Sequence, residues 1–211
     1  MGYKNKDIAG NNNFVSGSGN YTNSNNTILS GTSNIETGGA CNIVTGVSNI
    51  LTGSQNSLLA GYQITDVNNV LQCIVAGAGH HIENISNTIV GGNENTVKGT
   101  SSLVVGGSNT LTGHYSFING TWNNVSGSSS MASGFNNTVT GGYGLAVGYR
   151  NEVKAEYGFA TGYYTKVHHD CQAAVGYWNS PNQNSIFMVG NGEPTSWKNA
   201  FEVKSDGSAR I

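Results

Sequence analysis

Charge is what this 211-residue chain has least of. Lys, Arg, Asp and Glu together make up 9% of it, against roughly 25% in ordinary globular proteins. Nine cationic and eleven anionic side chains leave a formal net charge of -2. The Lys and Arg are scattered, so the basic surface that a nucleic-acid partner requires is not there. Long apolar runs are also missing. No stretch approaches the ~20 residues of a membrane-spanning helix, which argues against insertion in a membrane. The opening MGYKNKDIAG has no apolar signal core, which leaves either a leader already removed or folding in the cytosol. Cysteine is scarce and odd in number, Cys41, Cys73 and Cys171, so the three cannot all pair within one chain. They read as small buried residues, and unpaired thiols point to folding in a reducing compartment.

Glycine is abundant, at 31 residues, beside only two prolines and a large share of Asn, Ser and Thr. Such a composition suits a flexible linker. Disorder normally comes with few aliphatics and high charge, however, and here aliphatics are plentiful and periodic. A glycine closes each apolar run at 17, 31, 46, 61, 77, 92, 106, 120, 134, 148, 162, 176 and 190. The spacings are 14, 15, 15, 16, 15 and then 14 seven times. Thirteen coils therefore cover residues 12–190, with a lead-in at 1–11 and a connector at 191–211.

Three residues before each glycine the chain is apolar, as at Ile28, Ile74, Leu103, Phe117 and Phe159. Two residues before it the chain is apolar again, as at Leu29, Val75, Val104, Ile118 and Ala160. Adjacent strand residues face opposite ways, so this short strand is apolar on both faces and calls for burial on both. Five residues after the glycine stand Leu51, Ile82, Val97, Leu111, Val125, Val139, Val153 and Val167 between polar neighbours. That alternation marks a second strand with one wet face. Asn recurs three residues after the glycine, from Asn20 to Asn179. It reads as turn chemistry, since Asn tolerates left-handed backbone, with stacked side chains able to bond along the column.

Two strands and two turns per coil, with no sustained 3.6-residue periodicity, predict an all-β parallel solenoid. Its narrow interior takes one face of the first strand and the apolar side of the second. The remaining apolar face, the minus-three or the minus-two set, far exceeds what a soluble monomer exposes. A closed homotrimer is the expected solution.

The motifs Ser102-Leu103-Val104-Val105-Gly106, Ser130-Met131-Ala132-Ser133-Gly134 and Gly144-Leu145-Ala146-Val147-Gly148 resemble the fourteen-residue head repeat of trimeric autotransporter adhesins. The same module is found in phage tail fibres and in fibres of large viruses. The resemblance implies a left-handed parallel β-roll, assembled as a trimer, on an extracellular surface and bound to a host glycan or protein receptor. Asn199-Ala200-Phe201-Glu202-Val203-Lys204-Ser205-Asp206-Gly207 is similar to a segment that follows such heads in viral and phage fibres, often ahead of a self-cleaving chaperone. Its residues predict a hairpin turning at Asp206-Gly207, as a cap or connector.

Nothing in the chain suggests catalysis or a cofactor. His80-His81 and His168-His169 are adjacent pairs that strand geometry points apart, so they read as polar turn residues rather than a metal chelate. The acidic residues form no pairs on successive coils. One feature exceeds what a scaffold needs. Just after the glycine, late coils carry Trp122, Phe135, Tyr149, Arg150, Tyr163, Tyr164, Tyr177 and Trp178. Aromatic columns at the ~4.8 Å spacing of stacked strands offer a platform for sugar rings or a protein partner. The alternative is that they pack on each other or over a trimer seam. Adhesion by multivalent contact is the function expected, and a rigid fibre spacer is the alternative.

Overall fold

The computed structural model describes residues 3–7, 10–53, 55–67, 71–83 and 86–211. Within the lead-in 1–11, positions 1, 2, 8 and 9 lie outside the described residues. The chain is a β-solenoid of about thirteen coils of ~14 residues, and among the described residues every regular element is a strand. It divides into two compact units, residues 1–108 and 109–211.

In the first unit, strands such as Ile28–Thr32, Ile43–Val47, Leu58–Tyr62, Ile74–Ala78 and Ile89–Asn93 stack as one parallel sheet. Tyr21–Asn25, Ile35–Ala40, Ile50–Thr52 and their successors stack as a second. The second unit repeats the plan, with Phe117–Thr121 through Ala173–Tyr177 in one sheet and Thr110–Leu111 through Lys166–Val167 in the other. Pairing is in register with the repeat: Ile74 lies beside Ile89, and Leu145 beside Phe159. Like therefore stacks on like.

The structure decides which face of the first strand is interior. The minus-two residues, from Leu29 to Met188, are buried and meet the equally buried Leu51, Ile82, Val97 and their successors. The minus-three residues face outward. In the first unit those from Phe14 to Ile89 are exposed, from Leu58 at 37% to Phe14 at 62%, and Leu103 is half-buried. In the second, Leu103's counterparts Phe117, Met131, Leu145 and Phe159 are half-buried.

Two local expectations are corrected. The marker glycine does not end the strand: Met131–Phe135 runs through Gly134. Its backbone is instead bent into a conformation closed to other residues. Gly120 has φ 119°, and a Cβ there would lie 1.9 Å from the Gly134 carbonyl oxygen of the next coil. Nor is the Asn itself left-handed. The left-handed seat is the residue before it, Ser33, Ser48, Ser108 or Asn136, with φ of 53–55°. The Asn side chain turns inward, buried, and forms a ladder. Asn34 Nδ2 donates to the Ser30 and Gly46 carbonyls (both 2.9 Å), and its Oδ1 accepts the Asn49 backbone N–H (3.0 Å) and Nδ2 (3.0 Å). These bonds satisfy backbone groups that the turn removes from the sheets.

His80 occupies an Asn position of this ladder rather than a polar turn. It is buried; Nδ1 accepts the Asn95 N–H (3.2 Å), which leaves the proton on Nε2, 3.0 Å from the Ala76 carbonyl. Burial pushes its pKa below the ordinary 6.5. The cysteines also depart from expectation. Cys73 is buried, but Cys41 and Cys171 are exposed, each in a left-handed corner (φ 60° and 58°).

After Ser185–Asn191, which still pairs parallel with Ala173–Tyr177, the chain reverses. Asn199–Lys204 pairs antiparallel with it, and Ala209–Arg210 antiparallel with Asn199–Lys204. The hairpin expected at Asp206-Gly207 forms, and Asp206 Oδ1 accepts the Ser208 N–H at 2.8 Å.

Candidate functional site

The aromatic residues after the marker glycine occupy two kinds of seat. Phe135, Tyr149, Tyr163 and Tyr177 are the last residues of their strands, one beside the next in register. Trp122, Arg150, Tyr164 and Trp178 sit at the following left-handed corner, with φ between 51° and 62°. A side chain pays roughly 1–2 kcal/mol there for its Cβ. Ladder bonds hold the corner: the Arg150 N–H donates to Phe135 O (2.8 Å), Tyr164 N–H to Tyr149 O (2.8 Å) and Trp178 N–H to Tyr163 O (3.1 Å).

The strand register brings the rings together. Phe135 stacks on Tyr149 with centroids 5.1 Å apart, and Tyr149 on Tyr163 at 5.0 Å. Tyr164 stacks on Trp178 at 3.9 Å with planes 12° apart, and Tyr163 meets both rings edge-on. The Arg150 guanidinium lies 5.3 Å from the Tyr149 centroid and 5.4 Å from that of Tyr164, and it donates to the Tyr164 hydroxyl. Guanidinium and π faces attract in this arrangement. The row thus packs on itself, as the alternative reading held, while its outer side stays open: Tyr163 and Tyr177 are exposed and Trp178 is half-buried. Trp122 stands apart, exposed, and no ring contact among the described residues includes it.

Two aromatic features lie outside the expected set. Trp197, in the connector, meets Trp178 edge-on at 5.0 Å and carries the Lys166 ammonium 4.2 Å from its centroid. It falls off the fourteen-residue frame, so the repeat gave no signal for it. Tyr143 and Tyr157 occupy the left-handed corner at the other turn and stack at 4.9 Å, both exposed. Their spacing of fourteen was the available signal.

The surrounding electrostatics are sparse. Glu152, on the outer side of the second sheet, pairs with Lys154, with Lys166 (3.6 Å) and with His168 (3.6 Å). Burial raises its pKa, but these neighbours outweigh burial and hold the carboxyl below its usual 4.5. Among the described residues no group of three or more His, Cys, Asp or Glu is placed to hold a metal ion. Beside Trp197 opens a polar cleft of about 520 Å³, lined by His169, Asn182, Lys198, Glu202 and Arg210 among others. The second unit thus presents stacked rings and an open polar cleft, with few charges around them.

No protein-family model matches the chain, and a search of the curated proteins returns no match.

Proposed function

We propose that this chain is the repeat segment of a trimeric attachment fibre, a left-handed β-roll whose C-terminal hairpin serves as cap or connector. The observation that carries attachment is the aromatic row from Phe135 to Trp178, held at strand ends and the corner that follows, with its outer side open. Flat aromatic faces at an exposed corner stack on sugar rings and on apolar partner side chains. A trimer would offer three such rows, and linked weak contacts give avidity well above that of any one of them.

Trimerisation rests on the minus-three column. Phe14, Ile28, Ile43, Leu58, Ile74 and Ile89 follow one another along one face, all exposed. A contiguous apolar strip of this kind is what subunit interfaces cover. The test of attachment is the combined substitution Tyr163→Ala, Tyr164→Ala, Trp178→Ala. Binding to a glycan array and to cell panels should fall at least tenfold, with sedimentation unchanged. Unaltered attachment would remove the row from function and leave the spacer reading in its place.

A further inference from the structure

The cleft beside Trp197 has the size of a small-ligand site. Its lining combines three chemistries. Trp197 belongs both to the cleft and, through Trp178, to the aromatic row. Glu202 is a buried carboxylate held by the side-chain amides of Asn182 (3.4 Å) and Asn199. Lys198 and Arg210 are exposed, and among the described residues neither forms an ion pair. In a chain with nine Lys and Arg in all, two of them border this one cleft against the single carboxylate of Glu202, and Lys166 lies on its tryptophan.

We propose that the cleft binds an anionic saccharide: Trp197 takes the apolar face of the ring, Glu202 and the Asn side chains bond its hydroxyls, and Lys198 and Arg210 pair with its carboxylate or sulfate. This rests on the reading of the aromatic row as a binding surface. A carboxylate accepts and amides both accept and donate, which matches the paired donor and acceptor character of sugar hydroxyls. Two cations against one carboxylate leave an excess of positive charge, which favours a ligand that brings its own negative charge, with charge-assisted bonds stronger than neutral ones. An acidic peptide would use the cations and bond the polar lining through its backbone N–H and C=O groups, so it enters the test as the competing ligand.

The test titrates the full chain with sialyllactose, a sulfated lactose and plain lactose by calorimetry, at 50 mM and 500 mM salt. At least one acidic sugar should bind ten or more times tighter than lactose at low salt, and lose most of that margin at high salt. Which acidic sugar shows the low-salt margin distinguishes carboxylate from sulfate. Lys198→Ser with Arg210→Ser, both surface changes, should bring the acidic sugars down to the lactose level and leave the melting temperature in place. Equal affinity for all three sugars overturns the proposal while the aromatic row keeps its role. Binding of an acidic peptide as tight as that of the sugars overturns it as well. Failure of every sugar to bind, in a chain that still attaches to cells through Tyr163, Tyr164 and Trp178, overturns this inference and spares the attachment reading.

Discussion

The Asn123 side chain accepts two hydrogen bonds from Asn137 on the next coil, one from its backbone N–H at 2.9 Å and one from its Nδ2 at 3.0 Å. Its own Nδ2 donates to the Gly134 carbonyl at 3.0 Å. All of this happens out of reach of water, since both side chains are buried. Asn123→Ala strips partners from several backbone and side-chain groups at once. Each buried group so stranded costs roughly 1–3 kcal/mol, and a loss of about 2–4 kcal/mol is expected for the variant. Denaturant titration measures it. A loss under 0.5 kcal/mol, on the scale of an ordinary surface change, would mean the ladder is idle.

The repeat, the strands and the interior were legible because fourteen-residue spacing and in-register stacking are the same fact seen twice. Leu111, Val125 and Val139 alternate with polar residues and are buried as that pattern requires. The facing of the first strand was not legible. Ile74 and Val75 are both apolar, and only the path of the turn decides that Val75 goes in. The backbone at Asn34 was not legible for a related reason. Its type suits a left-handed turn, yet the seat falls one residue earlier, on Ser33. Side-chain type alone does not separate neighbours at a corner. The exposure of Cys41 and Cys171 was illegible on the same ground, since both sit at such seats. The aromatic row was found through its period, and Trp197 was missed because it has none.

Gly120→Ala and Gly91→Ala make a paired test of the corner geometry. The first sets a Cβ 1.9 Å from the Gly134 carbonyl at φ 119°, where neither backbone can yield without breaking the coil spacing. The second points into open space. Gly120→Ala should lower the melting temperature by more than 10 °C or abolish folding, while Gly91→Ala should leave it within about 2 °C, the range of a surface change. Equal melting temperatures would contradict the close approach of the coils.

Assembly is tested on the outward column. Ile74 and Ile89 are side by side in register and each 47% exposed. Replacing both with Lys adds two charges to the face that the proposed trimer covers and leaves the coil interior untouched. Sedimentation at micromolar concentration should give three chains for the parent and one for the variant, with circular dichroism unchanged. A parent that sediments as one chain would show that the strip stays bare.

Near the start of the solenoid the interior changes character, and stability there should depend on pH. Where later coils carry Leu51 or Val97, earlier ones carry Thr22 and Glu36, both buried, with Ser24, Thr27 and Asn42 around them. Glu36 accepts from Asn42 Nδ2 (3.0 Å), from Thr22 Oγ1 (2.9 Å) and from Ser24 Oγ, and no cation pairs with it among the described residues. Burial raises its pKa above the usual 4.5, against the opposing pull of the Asn42 and Thr22 hydrogen bonds. The folded state therefore prefers the protonated acid. Its contribution to stability is fully present below about pH 4.5, where the unfolded chain is protonated too, and is lost as pH rises through the folded value. Glu36→Gln keeps the shape of the neutral acid and an acceptor for Asn42, and the neighbouring hydroxyls can rotate to accept from its amide. The variant should melt higher than the parent at pH 7 and no higher at pH 4. A fall in melting temperature at pH 7 would mean that the three donors outweigh burial and that the ionised carboxylate is the form the coil is built around.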